Sequence, residues 1–285
     1  MEKIIVTGCN GQLGRALKAE LASDSSFEYI GTDVDELDIT DAQATIKYVK
    51  EIKPFAVVNC AAYTNVDGCE ANEELAMKIN AIGPRNLAVA ASEAGAKLVH
   101  ISTDYVFPGD GDHPYRETDT PSPVSAYGRT KLAGENFVKD FSNRFFILRT
   151  AWLYGDGKNF VRTMLALSEK HDRIGVVDDQ LGNPTSAKEL ALAIHKLIPT
   201  DEYGLYHATC EGICSWADFT EEIFRLAGVK TEVEHISSEE YKRRFPDSAH
   251  RPAYSALDNY MFRVGTDIRF ADWHDAIEEY IKNGV

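Results

Sequence analysis

The sequence predicts an α/β fold: a doubly wound parallel sheet with a smaller C-terminal α/β lobe. Three observations predict it. Short β-rich apolar runs alternate with helical patterns through the first half of the chain. Those runs are almost continuously apolar, as expected of strands covered on both faces. A glycine-spaced turn, Gly8-Cys9-Asn10-Gly11-Gln12-Leu13-Gly14, joins the first run to the first helical pattern.

In chain order, Ile4–Thr7 reads as a strand ending at Gly8, and Leu13–Leu21 as the first helix. Tyr29–Asp33, Phe55–Ala61, Lys97–Ser102 and Phe145–Thr150 read as further strands. Ala42–Lys50 and one long segment, Glu73–Ala94, read as helices between them. The turn signals of Pro108-Gly109-Asp110-Gly111-Asp112 and Pro121-Ser122-Pro123 then interrupt the pattern. This long loop either covers a functional site or makes a surface excursion. Ser122-Pro123 reads as the start of the next helix, with proline in its first position.

Beyond residue 151 the regularity weakens. Ala187–Leu197 as a helix and Leu205–Ala208 as a strand can rejoin the sheet layer. Ser215–Leu226 opens on a capping serine with Asp218 three residues on, and residues 230–285 read as mixed small elements. Residues 1–152, with roughly 174–209, are therefore expected to form a Rossmann dinucleotide-binding domain. Residues 153–173 and 210–285, approximately, are expected to form the substrate lobe.

Composition narrows the function. The 285 residues carry a net charge of −15 with acids spread along the chain, so a nucleic-acid partner would be repelled. No apolar run approaches the ~20 residues of a membrane span, and the first strand leaves no room for a signal peptide. The five cysteines are odd in number, which reads as reduced thiols in the cytoplasm. Cys210 and Cys214 have no second pair or nearby His to complete a zinc pattern, so no metal is assigned.

The glycine turn has a strand before it and a helix after it. Glycines there permit a tight turn and a close approach of backbone to a pyrophosphate, which then faces the helix N-terminus. Gly8, Asn10, Gly11, Gln12, Leu13 and Gly14 are thus candidate cofactor contacts. Asp33 follows Gly14 by 19 residues, where a carboxylate binds the adenosine ribose. No Arg follows it immediately, so NADH is favoured over NADPH.

Tyr127 and Lys131 stand four apart, on one helix face. A nearby ammonium would lower the phenol from its usual ~10 and tune it as a general acid. Ser102-Thr103-Asp104 ends the fourth strand, at the sheet edge where open α/β folds bind ligands. A hydroxyl there can donate to the same carbonyl that the tyrosine protonates.

Together these motifs resemble the extended branch of the short-chain dehydrogenase/reductase superfamily. Longer blocks resemble the dTDP-4-dehydrorhamnose reductase family: STDYVF (Ser102–Phe107), AYGRTKLAG (Ala126–Gly134), RTAWLYG (Arg149–Gly155), DQLGNPT (Asp179–Thr185) and Arg251-Pro252. The resemblance implies reduction of the C4 ketone of dTDP-4-dehydro-L-rhamnose by NADH or NADPH, the last step of dTDP-L-rhamnose synthesis. It implies that Thr103 orients the carbonyl, Tyr127 protonates it, and Lys131 supports Tyr127 and the cofactor ribose.

The resemblance further places Ala61, Ala62, Tyr63 and Asn80 along the cofactor, with Tyr63 serving equally well as packing. It places Asp104, Val106, Phe107, Trp152 and Arg251 near the substrate; Trp152 also reads as a core residue and Arg251 as a surface one. Some relatives dimerise around carboxylate-bound Mg2+, but here the first helix begins Arg15-Ala16 and only Glu189 stands elsewhere. A monomer or weak homodimer is therefore expected. Dehydratases resemble Thr-Asp-Glu at the fourth strand, where this chain has Tyr105. Another nucleotide-sugar reductase or epimerase, or a regulatory subunit that binds dinucleotide without turnover, are the alternative readings.

Overall fold

The computed structural model describes every residue except Asp247, His250 and Val285. The chain begins as a regular alternation: β1 (Glu2–Thr7), α1 (Gln12–Leu21), β2 (Phe27–Thr32), α2 (Ala42–Ile52) and β3 (Ala56–Asn59). Two short helices, α3 (Val66–Ala71) and α4 (Glu73–Met77), lead through a π-helical turn at Lys78–Ile82 into α5 (Gly83–Ala94). Then come β4 (Lys97–Thr103), a 3-10 turn at Asp104–Val106, α6 (Ala126–Phe141) and β5 (Phe145–Thr150).

The second half holds β6 (Leu153–Tyr154), α7 (Phe160–Ser168), β7 (Arg173–Val177), β8 (Leu181–Gly182) and β9 (Thr185–Ser186). It continues with α8 (Ala187–Leu197), β10 (Gly204–His207), β11 (Cys214–Ser215), α9 (Trp216–Ala227) and β12 (Glu232–Ile236). It closes with α10 (Ser238–Arg244), α11 (Tyr260–Gly265) and α12 (Trp273–Lys282).

Six strands form one sheet in the order β10-β5-β4-β3-β1-β2, all parallel. Successive residues of β1 serve opposite faces. Ile4 and Val6 join Leu13, Leu17, Leu190 and Ile194 under α1 and α8. Ile5 joins Val57, Leu87, Leu98 and Ile147 under α2 and α5. With both faces covered, the strands need the continuous apolar runs seen in the sequence. The chain leaves β1 toward β2 on one side and returns to β3 on the other. The switch point, where a doubly wound sheet opens a crevice, therefore lies between β1 and β3.

The second lobe has its own core, in which Phe219, Ile223 and Phe224 of α9 meet Val161, Trp273 and Ile277. Its strands pair over long sequence separations, β7 with β12 and β8 with β11, so β7 and β8 lie with this second core and not with the dinucleotide-binding domain expected to hold residues from about 174 on. Helix α9 starts with the capping box that Ser215 and Asp218 foretell, each side chain bonding the other's backbone N–H. Helix α8 packs on α1, and β10 extends the large sheet beside β5.

Two expected boundaries are corrected. Helix α6 starts at Ala126 rather than at Pro123, because Ser125 caps it by accepting from the Gly128 amide at 3.1 Å. The Ser122 amide instead bonds the Val106 carbonyl. The segment expected as one helix over Glu73–Ala94 contains the π turn, and Asn80 on that turn bonds across to Thr130. Among the described residues no helix is long and apolar enough to cross a membrane.

Candidate active site

The switch point is built by close backbone approach. Gly8 has φ +66°, and a Cβ on it would lie 2.7 Å from the Ala61 nitrogen just past β3. Only glycine suits both the left-handed conformation and that contact. Gly11 begins α1 without a side-chain cap, so the first-turn amides remain available to a ligand. They border a cleft of about 590 Å³ whose lining includes Asn10, Gln12, Leu13, Ala62 and Thr64.

A neighbouring cavity of about 520 Å³ continues over the end of β2, lined by Asp33, Val34, Leu37, Ala61 and Lys78. Asp33 accepts from the Asn10 amide at 3.2 Å and from the Val34 amide at 2.9 Å, which fixes its carboxylate at the mouth. Gln12 Oε1 and Thr150 Oγ1 are buried without hydrogen-bond partners, and both residues line the cleft. A glycine cradle that any Cβ would fill, uncapped helix amides, a ribose-height carboxylate and unpartnered polar atoms fit a dinucleotide.

The cleft's other wall is the carboxyl end of β4. Thr103 donates to Asp104 Oδ1 at 2.8 Å and accepts from the Tyr105 amide at 3.2 Å. Asp104 Oδ2 is buried with no partner. Burial, outweighing hydrogen bonds from Ser255 and Thr103, pushes the Asp104 carboxyl up to about 6.

Helix α6 brings Tyr127 against Thr103, and the Tyr105 ring meets the Tyr127 ring edge-on at 5.5 Å. That approach depends on Gly128, where a Cβ would lie 2.1 Å from the Tyr105 carbonyl oxygen. One turn further on, the Lys131 ammonium donates to the Ile101 carbonyl at 2.6 Å. Burial pushes it down to about 8, against the opposing effects of Glu135 and Cys60.

The expectation that Lys131 lowers the Tyr127 phenol is corrected. Burial is the largest effect on the phenol and raises it above its usual value. Tyr127 therefore stays protonated at neutral pH, the state that a proton donor needs. Ser102 is also separated from Thr103 in role: its hydroxyl points into the fold and donates to Glu135 at 2.6 Å.

Trp152 follows β5 with φ +46°, an unusual conformation for a bulky residue and one associated with functional sites. Its indole stacks on Trp216 with centroids 3.5 Å apart and planes 8° off parallel. Trp216 lines both the cleft and a third cavity of about 520 Å³ in the second lobe. That cavity is walled by Phe160, Met164, Val177 and Tyr241, with Gln180, Ser238 and Arg251 as polar groups. Among the described residues, Arg251 Nε is buried there with no hydrogen-bond partner.

The structure thus brings Gly8, Asn10, Gly11, Gln12, Leu13, Gly14, Ala62, Thr103, Asp104, Tyr127, Lys131 and Trp152 to one cleft. Asp33 and Ala61 lie in the adjoining cavity, and Arg251 in the lobe cavity. Four candidates are directed elsewhere. Val106 and Phe107 are buried in a cluster with Tyr115, on which Phe107 stacks at 4.3 Å. Tyr63 packs with Cys69 and Tyr127. Asn80 clamps Tyr63 by bonding its amide at 2.8 Å and its carbonyl at 3.1 Å.

Sequence reasoning passed over Trp216, Thr150 and Lys158 in the cleft, and Phe160 and Gln180 in the lobe cavity. Gln180 stood in a quoted block without a role, and Trp216 directly follows the capping Ser215. Glu189 accepts from the Ala271 amide at 3.0 Å.

A doubly wound sheet with a glycine turn at its switch point, and a threonine–tyrosine–lysine set at the end of β4, define an extended short-chain dehydrogenase/reductase. Comparison with known proteins narrows this class. The chain belongs to the RmlD substrate binding domain family, whose sequence model matches residues 1–285. It is 40% identical over 283 residues to the spore coat polysaccharide biosynthesis protein SpsK of Bacillus subtilis, covering 99% of this chain and 98% of that one.

Among solved structures, it is similar to a dTDP-4-dehydrorhamnose reductase of Clostridium acetobutylicum, with 51% identity, a TM-score of 0.95 and 99% of each chain covered. It is also similar to the Bacillus anthracis dTDP-4-dehydrorhamnose reductase in complex with NADP, with 43% identity, a TM-score of 0.95 and 100% of each chain covered.

Proposed function

We propose that this chain reduces the C4 ketone of dTDP-4-dehydro-L-rhamnose to dTDP-L-rhamnose with a reduced nicotinamide dinucleotide. The observation that carries this reading is that Trp216 is a wall of both the cleft and the lobe cavity. A nucleotide sugar can therefore place its ketosugar beside Tyr127 and its nucleoside diphosphate in the second lobe. The apolar and aromatic wall suits a pyrimidine base, Gln180 and Ser238 offer polar recognition, and the Arg251 guanidinium matches a diphosphate.

When bound, the reduced nicotinamide supplies a hydride to the carbonyl carbon. The chain's own residues handle the oxygen. Thr103 orients it by hydrogen bonding, and Tyr127 donates the phenolic proton to it as negative charge builds. Lys131 holds a positive charge below Tyr127 that offsets the phenolate left behind. The Trp152 indole gives the sugar ring a flat apolar face, and Asp104 faces its hydroxyl groups. The residues this reading uses all come from one chain. It assigns Mg2+ no residue.

NADH is the preferred cofactor in this reading, with NADPH also accepted. Asp33 and Asp38 line the adenosine end, and Lys78 there is paired with Glu74 at 3.2 Å. A 2′-phosphate would meet like charge. The product is an activated deoxysugar, a donor for polysaccharide assembly, in keeping with the name of the Bacillus subtilis relative. The test follows nicotinamide absorbance with dTDP-4-dehydro-L-rhamnose generated in the cuvette. One reduced cofactor consumed per dTDP-L-rhamnose formed supports the reading. Cofactor binding without oxidation overturns it.

A further inference from the structure

Tyr127, Lys131 and Glu135 are spaced four apart on α6 and form one stripe along its inner face. The first two border the cleft, but Glu135 is fully buried behind it. Its carboxylate is saturated. Oε1 accepts from Ser102 Oγ at 2.6 Å and from Arg149 Nε at 2.8 Å. Oε2 accepts from Arg149 Nη2 at 2.8 Å, with the Lys139 ammonium 3.7 Å away. Arg149 is itself 1% exposed, lies over the Phe107 ring at 5.0 Å, and approaches His207 Nε2 at 3.5 Å.

The partners of Glu135 are placed with one residue of offset from the chemistry. Ser102 on β4 pairs in register with Arg149 on β5, and the next pair is Thr103 with Thr150. Both members of that next pair line the cleft. A buried ion pair is weak evidence of a stabilising role, because well-packed apolar residues often do as well.

We propose that Glu135 is a positioning residue for the reduction: through Ser102 and Arg149 it fastens α6 to β4 and β5, keeping Tyr127, Lys131 and Thr103 in one array, and its carboxylate is the counter-charge of Lys131. This rests on the reading of Tyr127 and Lys131 given above.

The surroundings of Lys131 leave that electrostatic role to Glu135. From β4 it meets the Ile101 carbonyl and His100, whose imidazole burial keeps neutral. From the end of β3 it meets Cys60, whose thiol burial keeps protonated. From its own helix Glu135, one turn further on, acts on it. Asp104, across the cleft, acts on Tyr127 and Tyr105. Glu135 is thus the one anion among the groups that act on Lys131.

The experiment measures reduced-cofactor affinity by nicotinamide fluorescence from neutral pH to about pH 10, together with turnover and melting temperature. Glu135→Gln keeps the size and the hydrogen bond to Ser102 but removes the charge. The midpoint at which affinity weakens with rising pH should move down by about one unit, and kcat at neutral pH should fall more than KM changes. Because this substitution leaves Arg149 buried without its partner, the paired variant Glu135→Gln/Arg149→Met removes both charges and should fold, with kcat still lowered and the midpoint moved less, because the repulsion from Arg149 is lost as well. A lower melting temperature with an unmoved midpoint in Glu135→Gln, or a double variant that folds with wild-type kcat, would make Glu135 purely structural and overturn the proposal. The binding readout uses no sugar, so it succeeds or fails independently of the assigned substrate.

Discussion

Lys131 donates its short hydrogen bond to the backbone carbonyl of Ile101, at 2.6 Å, and not to a carboxylate. The ammonium is therefore buried against a dipole. Its value near 8 lies below the ~10.4 of an unfolded lysine, so the folded chain holds fewer protons between those two pH values. Over that window this group makes the fold more stable as pH rises, while the positive charge that supports Tyr127 is lost.

The first prediction follows from that opposition. In the wild type, kcat/KM for ketone reduction should decline as pH passes about 8, without a matching drop in melting temperature. Lys131→Met should be slow at every pH and lack that alkaline decline. A wild-type profile flat to about pH 10 would remove Lys131 from the array.

Tyr127→Phe tests the proton donor. The ring is kept, so its edge-on packing against Tyr105 survives and cofactor affinity should be unchanged. Turnover should fall by ~10²- to 10⁴-fold, the usual contribution of a positioned general acid. Near-normal turnover would assign the proton to another group, Asp104, just past the end of β4, being a titratable group that acts on the phenol.

Asp33→Ser tests cofactor choice. The carboxylate accepts two backbone amides, and serine can keep one of those bonds without the charge. The ratio of NADPH to NADH use, as kcat/KM, should rise about tenfold, equivalent to about 1.4 kcal/mol. No change in that ratio would mean that Asp33 does not read the ribose.

Gly14→Ala tests the cradle. An added methyl would lie 2.5 Å from the Gly8 carbonyl oxygen and 2.6 Å from the Cys9 Cα, both main-chain atoms that cannot swing aside. Helix α1 must back away from β1, at a cost of ~1–3 kcal/mol for an overpacked site. Denaturant titration should show that loss, with dinucleotide binding weakened in parallel. An alanine variant of wild-type stability and affinity would contradict the described packing.

Much of this was legible because the chemistry is local. The glycine turn, Asp33, the threonine at the end of β4 and the Tyr127–Lys131 spacing each sit within a few residues of the element that presents them. The Ser215–Asp218 cap is local too. What escaped was set by distant chain. Pro123 looks like a helix start until the Val106 carbonyl claims the Ser122 amide. Glu135 looks like an exposed helix acid until Arg149 meets it from the next strand. The rise of the Tyr127 phenol is a burial effect that the i, i+4 spacing cannot reveal. In the second lobe, β7 and β12 pair across roughly the span from Arg173 to Ile236, beyond any periodicity read from a short window.

The parallel indoles of Trp152 and Trp216 have one more consequence. Two such chromophores, 3.5 Å apart, couple electronically, so the pair has its own near-ultraviolet circular dichroism and a partly quenched emission. The chain holds three tryptophans, and the remaining one, Trp273, lies in the core of the second lobe. Two of the three indoles thus absorb at the partition between the two cavities. A ligand that reaches either cavity should therefore disturb the pair's circular dichroism, a change that a stopped-flow mixer can follow without any label.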